Sequence, residues 1–586
     1  MTPQSNASLR RWSSLGAALF IGAALVSLAP RDVNASAPRP RVTQSVDTTF
    51  PDSTSRKAVA TKTSDGDAEP VEITAGGPKK GATASSQKQK RTRRSPRRRT
   101  PSSARAASRP VNARAAWTSP HSAGALTQDL QNMLLARTRS GEWGAIVVSL
   151  TRGDTLLAYN ADAMLQPAST MKLFTSALAL EHFGPDFTFQ TAVLHDGTIG
   201  PDGTLSGNLY LRGVGDPSLG TRYFPGESPM DALARQIVAA GVKHVRGDVV
   251  ADASAFESRT VPDGWQTRYL GAAYAARVSA LSLNENIVWV VVEPNGGKAA
   301  VSLEPATTTV PVESGVRVTG GSGGNVSAFR RADGVIQVRG SIGRNSAPRK
   351  YSLVVDDPAL FTAGALRAAL QNAGVAVDGT VHPGGTPADA ASIATIASPP
   401  LSRIVTSMNR ESINIFAELL FRGAAHAIAP TEPGSAQTGL SVLRTFLSDK
   451  VGAPASAVQV SDGSGLSVLD RLTPRAMIDL LAYAHHTPWG STFHASLPVA
   501  GESETLKGRM RYTPAQGNLH AKTGTTNSVA SLGGYVTARN GEILAFSFIY
   551  NGSNRWNAKT TMDQMGATMA EFVRDSVATP AAVTAP

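Results

Sequence analysis

The sequence predicts an α+β protein, with an antiparallel sheet flanked by helices and a large β-rich insert between the two halves of that sheet. Three observations lead there. Trp143 to Leu150 is an apolar run followed by the turn Arg152-Gly153-Asp154 and a return strand over Leu156 to Tyr159. Two further strands, Ser531 to Thr537 and Ile543 to Tyr550, stand near the other end of the chain. Between them, from about 190 to 395, short apolar runs recur among Gly, Asp and Pro turns. These are Asn208 to Leu211, Val245 to Val250, Ile287 to Val292, Val316 to Val318, Val335 to Val338 and Tyr351 to Val355. From Leu401 the pattern turns helical.

At 586 residues the chain exceeds one ordinary domain, and an apolar content of 41% suffices for a sizeable core. The absence of cysteine excludes disulfides, thiolate nucleophiles and cysteine metal sites. Residues 1–35 read as an export signal: Arg10 and Arg11 precede an apolar stretch, Leu15 to Leu28, too short for a comfortable membrane span. Cleavage after Ala35 is favoured, with an uncleaved anchor as the alternative. The protein is therefore expected in the periplasm or the extracytoplasmic envelope, membrane-associated if the anchor stays. Residues 36–120, rich in Ser, Pro and Arg, are expected to be a disordered linker, since they cannot bury enough surface to offset chain entropy. The formal net charge is +13, and the tract from Lys79 to Arg114 alone holds thirteen cations and no acid, so the rest of the chain is charge-balanced. Without interleaved aromatics the tract does not point to nucleic acid. Anionic envelope polymers or lipid headgroups are its candidate partners, and a solvated spacer is the plain alternative.

The remaining chain divides into a first segment of the sheet-forming domain, 121–190, inserted β-rich domains, 191–395, and a second segment of that domain, 396–580. In the first, Leu126, Leu130, Met133 and Leu134 mark an amphipathic helix ahead of the strands. Then comes Gln166-Pro167-Ala168-Ser169-Thr170-Met171-Lys172-Leu173-Phe174, with Met171, Phe174 and Leu178 at helical spacing. Pro167 suits a first helical turn. Residues three apart share a helix face, so Ser169 and Lys172 project together. A lysine with a lowered pKa can take the proton of a serine nucleophile. Alone the pair is weak: an N-cap serine beside a solvated lysine reads the same. A second Ser-x-x-Lys, Ser85 to Lys88, sits in the basic tract where no helix is expected. In the insert, Gly320-Gly321-Ser322-Gly323-Gly324 lacks the Lys-Ser/Thr of a phosphate loop and reads as a surface loop.

In the second segment Ser412 and Asn414 stand at a helix start or the turn leading into it. Val460-Ser461-Asp462-Gly463-Ser464-Gly465-Leu466-Ser467 is turn-rich, and a helix follows Thr473-Pro474. Gly517-Asn518-Leu519-His520-Ala521-Lys522-Thr523-Gly524-Thr525 is extended, and the last helix carries Met562, Met565, Met569 and Phe572 on one face. His520 would share a strand face with Lys522, which leaves a Ser-His-Asp arrangement open. His485-His486 lack a His-Glu-x-x-His pattern, and neither a catalytic metal nor any other cofactor is expected.

Ser169-x-x-Lys172, Ser412-x-Asn414 and Lys522-Thr523-Gly524, in that order, resemble the motif set of the penicillin-recognising serine acyl transferases. Gly215-Asp216-Pro217, Ser279-Ala280-Leu281-Ser282, Asp462 to Ser467 and Leu497-Pro498-Val499-Ala500-Gly501 extend the likeness to one branch, the class C penicillin-binding proteins. It covers about residues 123 to 575, and the long separation of Ser169 from Ser412 sets the chain apart from simple serine β-lactamases. The resemblance implies a penicillin-recognising, β-lactamase-like fold and D-alanyl-D-alanine carboxypeptidase activity, with endopeptidase activity as an open extension. It implies peptidoglycan stem peptides as substrates and β-lactams as covalent inhibitors. It also implies Ser169 as nucleophile, Lys172 as base and Ser412 as proton relay. Asn414, Lys522, Thr523, Gly524 and Thr525 would bind substrate, Gly524 by letting its backbone lie close. The N–H groups of Ser169 and Thr525 would form the oxyanion hole. A serine β-lactamase and a non-catalytic envelope-binding protein of the same fold remain the alternatives.

Overall fold

A computed structural model describes residues 117–137 and 140–575. The export signal, nearly all of the basic linker and the Ser85 motif lie outside the described residues.

The chain builds a five-stranded antiparallel sheet from both ends of its sequence. Its strands are β1 (Glu142–Ser149), β2 (Thr155–Tyr159), β3 (His520–Thr525), β4 (Val529–Thr537) and β5 (Ile543–Asn551), in spatial order β2-β1-β5-β4-β3. The two-residue alternation of a strand sends side chains to two separate cores. Ile146, Tyr535, Ala545 and Ile549 face the helices Lys172–Phe183, Asn414–Ile428 and Pro474–His486. Ala145, Val147, Leu544, Phe546 and Phe548 face the helices Ala123–Arg137 and Arg555–Glu571. With both faces covered, β4 and β5 read as continuous apolar runs. The fold class predicted from the sequence is the one found.

Strand β3 lies at the sheet edge. The stretch from Pro498 to Ala500 covers its first half: Ala521 N–H donates to the Pro498 carbonyl at 2.9 Å, and Ala500 N–H to that of Leu519 at 2.9 Å. By strand alternation the N–H groups of Thr523 and Thr525 face the same side as that of Ala521. Thr526 N–H turns the other way, to the Val529 carbonyl at 3.1 Å. The edge is thus closed up to Ala521 and presents backbone donors beyond it.

Between Gln190 and Ala397 the chain forms sheets separate from the central one. Gln190–His195, Leu209–Arg212, Val249–Asp252, Val381–Pro383 and Ala391–Ala397 make a mixed five-stranded sheet, and two three-stranded sheets lie between residues 287 and 354. The run Val245 to Val250, read as one strand, is two, His244–Val245 and Val249–Asp252, broken at Arg246-Gly247-Asp248. Two helices that the β-rich reading passed over, Pro229–Ala239 and Pro358–Asn372, pack against each other here. Both carry legible starts: Ser228 caps Met230 N–H at 3.2 Å and Asp357 caps Leu360 N–H at 3.0 Å, each followed by proline.

Candidate active site

The pair Ser169 and Lys172 stands where a 3₁₀ turn, Ala168–Met171, runs into the helix Lys172–Phe183. Pro167 is the cap residue of that turn rather than part of a helical first turn. The turn is pinned to the sheet. The Gln166 N–H donates to Asn551 Oδ1 at 2.8 Å, the Asn551 amide returns a bond to the Gln166 carbonyl at 3.0 Å, and Ser531 Oγ donates to the Pro167 carbonyl at 2.6 Å. Ala168 takes a left-handed φ of 48°, a strained conformation for a residue with a Cβ. Against it lies Gly465, at φ 80°, where any side chain would meet the Ala168 carbonyl.

Lys172 is fully buried, yet its ammonium has three acceptors: Ser169 Oγ at 3.2 Å, Asn414 Oδ1 at 2.6 Å and the Ser464 carbonyl at 2.8 Å. Burial pulls its pKa down to about 8, against the opposing fields of Asp462, Glu418 and Asp470. The orientation of Asn414 is set from the other side, because its Nδ2 donates to the Tyr274 carbonyl at 2.8 Å. Asn414 Oδ1 and the Ser464 carbonyl can only accept. When Lys172 loses its third proton, its two remaining N–H bonds therefore go to these two oxygens. The lone pair is left facing Ser169 Oγ, where a base must have it.

Asp462 to Gly465 reads in the sequence as a turn that shares in the class C likeness, with no role of its own assigned. The structure makes its backbone part of the site, through the Ser464 carbonyl. Asp462 holds the turn by accepting from Trp265 Nε1 at 2.7 Å and from the N–H groups of Ser464, Gly465 and Ser467 at 3.0, 2.6 and 2.7 Å. Glu418 is buried beside it and accepts from Gly463 N–H at 3.1 Å. Burial and the Asp462 charge push its pKa up to about 8. The clustering of Asp, Gly and Ser around 462 was the available signal. Glu418 and Tyr274 carried none, since a helical glutamate and a loop tyrosine are commonplace.

Ser412 ends the helix Leu401–Glu411 in a left-handed conformation, φ 61°, and Asn414 begins the next helix. This tight corner, rather than a plain helix start, aims both side chains at the site. Ser412 Oγ accepts from Lys522 Nζ at 2.8 Å, so its own proton is free to point elsewhere. Lys522 is fully buried, donates also to the Thr523 carbonyl at 2.9 Å, and is held well below the usual lysine range by burial and by Lys172. Among the described residues no hydrogen bond joins Lys172 to Ser412.

Gly524 has a structural reason in addition to the one the motif suggests. A Cβ there would meet Ser531 Oγ, the Pro167 carbonyl at 2.7 Å and Ser169 N at 3.0 Å. The glycine lets β3 close on the Ala168–Met171 turn, which brings the Ser169 N–H beside the Gly524 backbone. His520 does not join Ser169. It lies 5.3 Å from His494, ring to ring, and its Nδ1 is buried without a partner, so a Ser-His-Asp arrangement through it has no geometric basis.

Residues 126–572 match the family described as D-Ala-D-Ala carboxypeptidase 3 (S13). A D-alanyl-D-alanine carboxypeptidase of Actinomadura sp. (strain R39) is 36% identical over 448 residues, covering 73% of this chain and 81% of its own length. The D-alanyl-D-alanine carboxypeptidase DacB of Haemophilus influenzae is 28% identical over 420 residues, 70% of this chain and 85% of its own. The fold is also similar to the crystal structure of penicillin binding protein 4 from Haemophilus influenzae, with a TM-score of 0.62 at 24% identity, covering 74% of this chain and 98% of that one.

Proposed function

The chain belongs to the D-Ala-D-Ala carboxypeptidase 3 (S13) family, and from that premise we propose how its residues divide the work of a serine peptidase. It is a D-alanyl-D-alanine carboxypeptidase, a hydrolase of the class C penicillin-binding type. Ser169 Oγ attacks the carbonyl of the penultimate D-alanine while neutral Lys172 takes its proton. The carbonyl oxygen, now negative, lies between the N–H groups of Ser169 and Thr525. The C–N bond breaks as Ser412 Oγ gives its proton to the amine of the terminal D-alanine and takes in exchange the one Lys172 drew from Ser169, so that Lys172 is neutral again while Lys522, donating to Ser412, keeps its own proton. Water then attacks the ester on Ser169, giving one proton to neutral Lys172, which returns it to Ser169 Oγ as the acid leaves. The terminal carboxylate is held by Lys522 and Thr523, and its charge restores the ammonium that burial disfavours in the empty site. Asn414 positions Lys172 and offers its amide to the substrate backbone. A β-lactam enters by the same attack but leaves no departing amine, which accounts for lasting inhibition. Export to the envelope agrees with a substrate found there, stem peptides of peptidoglycan, and the basic tract would hold the enzyme to anionic polymer or lipid.

The observation that carries this reading is the two-acceptor fixation of Lys172. It has a pH signature. The base is active when neutral, so kcat/KM for D-alanine release should rise with pH and level off above about 8, the value to which burial brings Lys172. Asn414→Asp puts an anion 2.6 Å from the ammonium. It should move that limb upward by about one to three pH units, the usual effect of an opposite charge in contact. A limb that stays in place in the variant would remove Lys172 from the role of base.

Lys522→Gln tests carboxylate recognition. A charge-assisted hydrogen bond is worth roughly 1.5–3 kcal/mol, about ten- to a hundredfold in kcat/KM where it is realised in the transition state. The loss should be larger for a peptide ending in a carboxylate than for its C-terminal amide, and Lys522→Arg should lose only part of it. Equal losses on acid and amide would count against the assignment.

A further inference from the structure

Past Thr525 the loop Thr526 to Ser528 carries β3 into β4, and Arg555, at the start of the last helix, grips it. The Arg555 guanidinium donates to the Thr526 carbonyl at 3.0 Å and to Asn527 Oδ1 at 3.1 Å. Beside it Trp556 is 66% exposed, on a helix whose opposite side is packed into the core. Arg555 lies 5.4 Å and Lys559 Nζ 4.5 Å from the centre of the Trp556 ring. Arg509 adds a third cation, donating to the Lys559 carbonyl at 3.4 Å. Asp563, 2.7 Å from Arg509, is the acid that faces this group. Three cations against one carboxylate leave the cluster positive, and burial together with Arg509 and Arg555 drives Lys559 down to about 8. Like charges crowded around an exposed aromatic ring are uphill for the empty protein and favour an anionic, ring-bearing visitor.

The direction of the substrate says which visitor. The following step rests on the carboxypeptidase reading. The terminal carboxylate lies at Lys522 and Thr523, and the scissile carbonyl one residue upstream at Thr525. The peptide therefore runs antiparallel to β3, and its upstream part leaves over Thr526 and Asn527, toward Arg555 and Trp556. An extended chain advances about 3.3–3.6 Å per residue, so the residues ahead of the scissile bond reach well past the end of the strand. The geometry points to Trp556, Arg555 and Lys559 as a subsite for the upstream, sugar-bearing end of the stem peptide. The exposed indole takes a sugar ring and the two cations take stem carboxylates. The enzyme would then distinguish a stem still attached to its glycan from the free peptide.

The test uses the full chain and a matched pair of substrates, a soluble disaccharide-pentapeptide and the same pentapeptide freed of its disaccharide. Trp556→Ala and Lys559→Gln change exposed or half-exposed side chains and leave the reacting residues untouched. Each should lower kcat/KM about five- to tenfold on the sugar-linked substrate, the scale of one aromatic or cation contact. Release of D-alanine from the free pentapeptide should stay within about twofold of wild type. Equal effects on both substrates, or none on either, would overturn the subsite. Loss of binding to anionic lipid vesicles with no change on the sugar-linked substrate would reassign the patch to a membrane surface and overturn it too. A wild-type enzyme that releases D-alanine from neither substrate would bring down the carboxypeptidase reading and this inference together.

Discussion

Ser169→Ala is expected to abolish covalent labelling by a fluorescent penicillin and to lower D-alanine release by a factor on the order of 10⁵–10⁶, as deletion of a serine nucleophile does elsewhere. The change removes one oxygen from a half-buried position on a turn held by other bonds, those of Gln166, Pro167, Asn551 and Ser531. Lys172 keeps its contacts to Asn414 and the Ser464 carbonyl. Thermal stability should therefore stay near wild type, which separates lost chemistry from lost fold. Ser85→Ala should leave labelling intact, although Ser85 opens the only other Ser-x-x-Lys read in the sequence. Labelling that survives Ser169→Ala would place the nucleophile elsewhere.

Lys172→Met should be nearly as damaging. Methionine matches much of the lysine stem but has no proton to give or take. General-base assistance is worth about 10²–10⁴-fold, and the loss of a fixed partner for Ser169 adds to it, so the acylation rate should fall about 10⁴-fold or more. The variant leaves Asn414 Oδ1 and the Ser464 carbonyl buried without their donor, at about 1–3 kcal/mol each. Removing a buried charge offsets part of that, so a modest loss of stability is expected. The diagnostic reading is the pH profile of the residual acylation: the limb near 8 should disappear. A rate that is low but keeps the wild-type limb would mean that Lys172 only supports the fold.

Much of the site was legible because its chemistry sits in short local patterns. Ser169 and Lys172 are three residues apart on one turn, and Lys522, Thr523 and Gly524 lie on one strand. Such spacings survive in the sequence whatever the rest of the chain does. The two insert helices were missed for a different reason. Pro229–Ala239 and Pro358–Asn372 begin at clear caps, but frequent glycines and short apolar runs on either side drew the reading toward strands.

By itself the sequence determined the fold class, the order of the three motifs and the chemistry of each side chain. Apolar spacing and turn residues are local quantities, and they set which segments become strands or helices. Only the tertiary structure decided which groups meet. Tyr274 orients Asn414, the Ser464 carbonyl completes the fixation of Lys172, Lys522 turns to Ser412, and Gly524 admits the Ser169 turn. Each of these pairs is far apart along the chain, and two of them act through backbone carbonyls, which every residue possesses. The protonation of the two lysines is decided in the same way. A lysine is a cation in sequence, and it is burial in the folded core, together with the charges the fold packs around it, that makes Lys172 fit to act as a base near pH 8.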